Sequence, residues 1–396
     1  MSPRSPGVPL EKAKSPARLR DGLPVCLIVF IGARLLLSAL GVIGVGHVTQ
    51  NVPPSDAVPA GWEAATPGFH NAWDGTDRWD AGWYIRIARD GYGSYGSAAF
   101  FPAYPLAIRA VWSVVGGDGL APALLVSNAA FFLSLLLFHQ LTSDEYDLAT
   151  ARRAVVLLAA FPTSFFFLAP YSESLFLLFS ILAFREARRD RWWSSAMAGA
   201  SAAFTRSTGI ALLPALVVEA INRSREDGRS AVPRVAAALC VAVGPALYFA
   251  FWAARGHATA PLTAQGAFGR ALTFPLVTLG RTVALATRGF STPIALYRMV
   301  DLLVTLPVIV AIGVGWRRWR PSYATYVGIG LVFLLSDSIS IRPLASVPRY
   351  IIVFFPVYWT FARWLQERKM FAVVVGCCLI VWCALALAFM NWVPVF

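Results

Sequence analysis

The sequence predicts an all-α polytopic membrane protein, and three observations carry that prediction. Of its 396 residues, 57% are hydrophobic and only 14% are charged. Apolar runs long enough to cross ~30 Å of hydrocarbon, at about 20 residues each, recur from Leu23 to the C-terminus with Arg-rich connections between them. A segment inside lipid must satisfy its own backbone hydrogen bonds, and a helix does so.

The spans follow in order. A basic tail, residues 1–22, precedes a first span from about Leu23 to Val45, and the remainder, 23–396, reads as one transmembrane domain. Its long first outer loop occupies residues 46–120. A second span runs from about Ala121 to Leu141. The third and fourth form an outward hairpin turning near Pro170, and two short helices between Trp192 and Ile221 break near Arg206 to Gly209. Later spans fall near Arg234 to Ala253, Thr292 to Trp316, Tyr323 to Ser336, Val347 to Ala362 and Met370 to Asn391, for roughly eleven in total.

The net charge of +13 does not point to nucleic acid, because the cations sit between spans. They cluster at Arg4 to Arg20, Arg152 and Arg153, Arg185 to Arg191, Arg223 to Arg234, Arg317 to Arg320, and Arg363 to Lys369. With those clusters cytoplasmic, the N-terminus is inside and the C-terminus outside. The basic N-terminal stretch resembles a signal sequence, but its apolar segment is long and Arg34 interrupts it. It reads as a retained anchor. Cys26, Cys240, Cys377, Cys378 and Cys383 all fall in apolar runs, so neither a disulfide nor a zinc framework is indicated, and no cofactor is expected. No internal repeat stands out, which disfavours a transporter built from duplicated halves.

Polarity concentrates in the outer segment from Gly46 to Gly119. Its first part is rich in Pro, Ala and Gly. In DGTDRWDAGWYIRIARDGYG, Asp77 can cap a helix that ends before Gly91. Trp79, Trp83 and Ile87 recur four apart as an apolar stripe, with Asp80 and Tyr84 on its flank. Such a helix lies in the membrane interface and can turn Asp80 toward a cavity at the surface. Two plainer roles compete: Asp80 as a first-turn partner of the helix dipole, and the rings as interfacial anchors. Asp74, Asp77 and Asp80 near His70 offer oxygen ligands to a cation, but the spacing matches no metal signature.

RWDAGWYIRIARDGY, then AFFPAYPLAIR (Ala99 to Arg109), FPTSFFFLAPYSESLFLLFS (Phe161 to Ser180), TRSTG (Thr205 to Gly209) and VPRYIIVFFP (Val347 to Pro356) together resemble the PIG-V-like mannosyltransferases. That family includes the second mannosyltransferase of GPI-anchor synthesis and bacterial homologues. The resemblance implies a GT-C glycosyltransferase fold that takes a sugar from a polyprenyl-phosphate donor on the extracytoplasmic side, with an acidic residue of the first outer loop as catalytic base. Asp80 occupies that position. An ionised carboxylate there accepts the proton of an acceptor hydroxyl as its oxygen attacks the anomeric carbon. A single displacement inverts, so a β-linked mannosyl phosphate gives an α-mannoside.

Substrate contacts are expected from Trp79, Trp83, Tyr84, Tyr104, Glu173, Gln265, Arg206 and Arg349. Arg206 and Arg349 suit the departing phosphate because a guanidinium can donate two parallel hydrogen bonds; the alternative is that either pairs with Glu173 or caps a helix. Glu173 itself could be a site residue, or a dipole partner behind Ser172 as cap. Arg109, after FFPAYP, is a weaker candidate for the phosphate that could simply snorkel, and Asp301 and Arg298 are assigned to pairing within or between helices.

Two departures weaken the inference about substrate. TRSTG lacks the proline of the RPTG common in relatives, and Ala254 to Arg270 keeps Gln265 and the terminal Gly-Arg without a preceding GDPLAF-like stretch. Preference for Ala and for Arg over Lys suggests a GC-rich bacterial source and a plasma-membrane location, which argues against a GPI acceptor. The expected partners are therefore a polyprenyl-phosphate sugar, an extracytoplasmic lipid, glycan or protein acceptor and membrane lipids, without nucleic acid. The rival readings are a polytopic transporter or lipid flippase, or a GT-C transferase using another sugar.

Overall fold

The computed structural model describes residues 15–46, 67–93, 95–287 and 293–394. Most of the basic N-terminal tail and the Pro/Ala/Gly-rich stretch at 47–66 lie outside the described residues. Five helices are long and apolar enough to cross a membrane: Arg20–Gly44, Leu120–Glu145, Val232–Ala253, Ile294–Gly315 and Arg368–Met390. They coincide with five of the expected runs, because uninterrupted apolar sequence of that length has no other stable state in lipid.

The remaining helices are shorter and pack around these. Leu148–Ala160 and Glu173–Arg188 are joined by the expected turn, but both pack on Leu120–Glu145 instead of forming a hairpin with each other, and the turn is not an outer tip. Phe165, Phe166, Phe167, Leu168, Ala169 and Tyr171 are all buried in the main core. Trp192–Thr205 lies against Glu173–Arg188, and its buried residues include the small side chains of Ser195, Ala196, Ala198, Gly199, Ala202 and Ala203. Small residues let two backbones approach where lipid supplies no hydrophobic drive, and Ser195 Oγ donates across the contact to Ala183 O at 2.7 Å. The expected break comes at Arg206, an extended residue (φ −153°), before a short 3₁₀ turn Ser207–Ala211 and the helix Leu212–Asp227.

Two features depart from the sequence reading. The run expected as a single span from Val347 is divided into Val347–Tyr350, a 3₁₀ turn Ile351–Val353 and a helix Pro356–Trp364. Pro348 and Pro356 each open a helix there, since a ring nitrogen without N–H fits only a first turn. In addition, Arg270–Leu272 and Asp337–Ile339 form a two-stranded antiparallel ribbon with Arg270 opposite Ile339 and Leu272 opposite Asp337. This ribbon ties the loop after Val232–Ala253 to the end of the helix Pro321–Ser336.

Charge is organised at both ends of the bundle. Where Leu120–Glu145 terminates, Arg188 pairs with Glu145 (2.8 Å) and Glu219 (3.2 Å), while Arg320 pairs with Glu226 at 2.6 Å. Ser322 also donates to Glu219, which is fully buried. At the other end, the helices Asp80–Asp90 and Ala103–Val115 stack over the start of Leu120–Glu145 and carry the candidate site.

Candidate active site

The helix Asp80–Asp90 is placed by the residues just before it. Arg78, buried, donates through Nε to Met390 O and through Nη1 to the carbonyls of Asp74 and Asp77, each at 2.9 Å. Its own carbonyl accepts from the Tyr171 hydroxyl at 2.8 Å. Trp79 then takes φ +56°, a conformation that costs a non-glycine residue of order 1–3 kcal/mol, and packs edge-on to Trp392 at 5.4 Å. These contacts hold the chain so that Asp80 is the first helical residue. Asp77 does not cap the helix, contrary to expectation: Trp79 stands at the cap position without a side-chain bond. One Asp77 carboxyl oxygen is instead buried without a partner, and burial pushes that carboxyl up to about 6 against the pull of Arg78. The helix does end at Gly91, where φ is +80°.

Asp80 meets Arg349 at 2.6 Å. Arg349 rides on Val347–Tyr350, and this turn is pinned by Thr163 of the FPTS motif, whose Oγ1 donates to Pro348 O at 2.7 Å. Arg349 also donates through Nε to Glu173 at 2.7 Å, and Arg206 reaches the same Glu173 oxygen at 2.6 Å. Glu173 is fully buried, and its second oxygen has no partner. The result is a chain of alternating charge, Asp80 to Arg349 to Glu173 to Arg206, whose most accessible member is Asp80, with 28% of its side chain exposed. Arg206 and Arg349 are therefore not unpartnered cations: the pairing alternative with Glu173 holds for both. A carboxylate inside apolar surroundings is tolerable only when so compensated.

Aromatic rings close the site. The guanidinium of Arg206 lies 4.4 Å from the Tyr350 ring centroid and that of Arg349 lies 4.8 Å from it; Arg349 also lies 4.9 Å from Tyr171. A third cation, Arg270, stands 5.8 Å from Tyr350, held by Asp337 at 2.8 Å and by Ser346 Oγ at 3.0 Å. Sequence reasoning did not assign Arg270; the retained Gly-Arg ending its loop was the available signal, and only the ribbon brings it here.

The other expected contacts divide. Tyr84 is buried and shares a 2.9 Å hydrogen bond with Ser172, which also accepts from Arg206 at 3.1 Å. Burial and nearby Glu173 hold its hydroxyl in the protonated form by raising its pKa. The buried face of the helix is thus centred on Ala81, Tyr84, Ile87 and Ala88, with Tyr84 inside rather than on the flank. Trp83 is half-buried and stacks on Phe100 at 5.5 Å. Tyr104 is fully buried with its hydroxyl spent on Ser127 (2.6 Å) and Ala123 O, which makes it a packing residue beneath Tyr84 and not a surface for substrate. Gln265 is half-buried and donates to Ala99 O at 3.4 Å, outside the charged chain. Asp301 pairs with Arg342 at 2.7 Å, whereas Arg298 donates to the carbonyls of Ile341 and Leu285. Among the described residues no group of three or more His, Cys, Asp or Glu side chains is placed to hold a metal.

Fold and site together define an integral, mostly helical membrane protein with a carboxylate–arginine centre on one end of its bundle. Residues 49–231 match the family model described as Mannosyltransferase (PIG-V), so the resemblance carried by the motifs is borne out over that stretch. It contains RWDAGWYIRIARDGY, AFFPAYPLAIR, FPTSFFFLAPYSESLFLLFS and TRSTG, while VPRYIIVFFP lies beyond it. The GPI alpha-1,6-mannosyltransferase 2 of Rattus norvegicus is 32% identical over 151 residues, covering 34% of this chain and 30% of the relative. The Homo sapiens protein of that name is 32% identical over 153 residues with the same coverage. The match thus spans 30% of the length of these relatives. Among solved structures, ArnT from Cupriavidus metallidurans bound to undecaprenyl phosphate aligns with TM-score 0.49 and 15% identity, covering 91% of this chain and 64% of its own. The archaeal oligosaccharyltransferase AglB from Archaeoglobus fulgidus aligns with TM-score 0.42 and 12% identity, covering 93% and 55%.

Proposed function

We propose that the protein is a membrane glycosyltransferase that moves a mannosyl residue from a polyprenyl-phosphate carrier to an acceptor hydroxyl at the extracytoplasmic face. The observation that carries this reading is the Asp80–Arg349 pair: a partly exposed carboxylate, itself within the segment matched to mannosyltransferases, backed by a buried arginine from beyond that segment. Asp80 accepts the acceptor proton while the oxygen attacks the anomeric carbon and the carrier phosphate leaves, inverting the configuration. Arg349 positions the Asp80 carboxylate, and Glu173 holds Arg349 and Arg206 by one edge each.

A guanidinium has five N–H groups, so the free edges of Arg206 and Arg349 remain for the departing phosphate, with Arg270 beside them. Preorganised cations stabilise developing negative charge without reorganising at the moment of reaction. Trp79 and Trp83 shape the approach to Asp80, and Tyr84 packs behind it.

The test is to incubate the purified protein with polyprenyl phosphate mannose and a membrane lipid or glycan extract, then identify the product by mass spectrometry. A mannosylated product that fails to form with competing sugar carriers supports the reading. Transfer from another sugar carrier alone replaces mannose, and no transfer from any carrier overturns the enzymatic reading.

A further inference from the structure

A cleft of about 420 Å³ lies away from the charged chain, between the helices Asp80–Asp90 and Ala103–Val115 on one side and the end of Val232–Ala253 on the other. Its walls are apolar. The hydroxyls of the tyrosines that line it are already spent: Tyr92 donates to Phe100 O at 2.8 Å, and Tyr248 donates to Ala98 O and Phe100 O at 3.0 Å. Leu106 and Leu247, 51% and 58% exposed, continue the apolar wall outward.

The charged side chains lining the cleft are Arg109 and Arg255. Both are exposed, and neither forms an ion pair among the described residues. Arg255 lies over the Phe251 ring at 3.6 Å and gives one N–H to the Phe251 carbonyl, leaving most of its donors unused. Two cations without a carboxylate beside an apolar wall that opens where a membrane-spanning helix ends match one chemistry: a phosphate joined to hydrocarbon.

We propose that this cleft binds one anionic glycerophospholipid, its phosphate held by Arg109 and Arg255 and the upper part of an acyl chain laid against Leu106, Leu247 and Phe251. A zwitterionic lipid fits less well, because the cleft offers its ammonium group no acid. The site is distinct from the reacting centre. The helix that starts at Asp80 presents Ile87 and Ala88 to the cleft, with Gly91 just past its end, and at ~1.5 Å per residue these lie about 10–17 Å along it from Asp80. The assignment therefore stands independently of the proposed transfer reaction.

The test uses the full chain purified in neutral detergent, with lipid binding followed by native mass spectrometry. Phosphatidylglycerol is expected to bind one to one, at least tenfold tighter than phosphatidylcholine. The double substitution Arg109→Ala with Arg255→Ala, and separately Leu247→Trp, which blocks the cleft but keeps both charges, should each lower that affinity at least tenfold. Arg281→Ala, an exposed arginine outside the cleft, should leave it unchanged, and thermal unfolding checks that every variant is folded. Equal binding of the two lipids, or undiminished binding by the folded double variant, overturns the proposal. So does displacement by inorganic phosphate at equal concentration, which marks a free-anion site. A tenfold preference for polyprenyl phosphate over phosphatidylglycerol also overturns it, giving the cleft to the sugar carrier.

Discussion

Asp80 and Glu173 share Arg349, yet the roles proposed for them differ and separate experimentally. Asp80→Asn keeps the volume and leaves Arg349 paired with Glu173, so we expect transfer to fall at least ~100-fold while stability drops by under about 1 kcal/mol, as for a partly exposed pair. Near wild-type turnover in that variant removes Asp80 as the base. Glu173→Gln instead leaves two buried guanidiniums without their common counter-ion, and breaking such a pair costs about 3–5 kcal/mol. Both thermal stability and transfer should decline, and an unshifted unfolding midpoint would show that Glu173 is not the clamp. Asp77 adds a pH signature. Its folded carboxyl, near 6, holds a proton more tightly than the unfolded chain, where Asp titrates near ~3.9. The stabilising contribution is present below the unfolded value and lost as pH rises through about 6. Thermal unfolding from pH 4 to 7 should show the midpoint falling more steeply in the native protein than in Asp77→Asn; parallel curves refute the assignment.

At the scale of elements, the motifs are contacts. The TRSTG segment ends in Gly209 because a Cβ there would lie 2.5 Å from the Ala203 backbone and 2.7 Å from Ala202 O. This close approach folds Ser207–Ala211 back on Trp192–Thr205 and sets where Arg206 emerges. Gly209→Ala must push the turn away, at a cost of about 1–3 kcal/mol. Transfer should fall along with the unfolding midpoint although the substituted residue carries no chemistry, and a variant with native stability and rate shows that the turn is not tightly packed. FPTS and VPRY are likewise one unit through the bond from Thr163 to Pro348 O, which explains how two motifs far apart in sequence place one arginine.

For the whole molecule, the axis of charge predicts sidedness. The Arg188–Glu145–Glu219–Arg320 network lies at the end of Leu120–Glu145 remote from Asp80, and arginine-rich connections favour the cytoplasmic side. Single cysteines introduced at Gly93 and Gly266 in a cysteine-free background should react with an impermeant maleimide added to intact cells, whereas one at Asp227 should react only after permeabilisation. Labelling of the Asp227 position in intact cells reverses the orientation and moves the proposed base away from an externally presented carrier.

What the sequence determines by itself is what depends on neighbours along the chain. Hydropathy marks the long spans, arginine spacing marks the connections, and an acid among interfacial rings makes Asp80 a candidate that the family resemblance then singles out, since each is a property of a contiguous segment. Proline without an N–H likewise explains the division after Val347, once its positions are weighed against the hydropathy. Tertiary structure decides which helix faces meet, and no local periodicity encodes that. It alone joins Arg349 to Glu173 across 176 positions, recruits Arg270 through a short ribbon, buries Tyr104 against Ser127 and turns two apparently free arginines into a paired array. The physical reason is desolvation: a charge taken out of water must find its partner in space, and the partner it finds is set by packing.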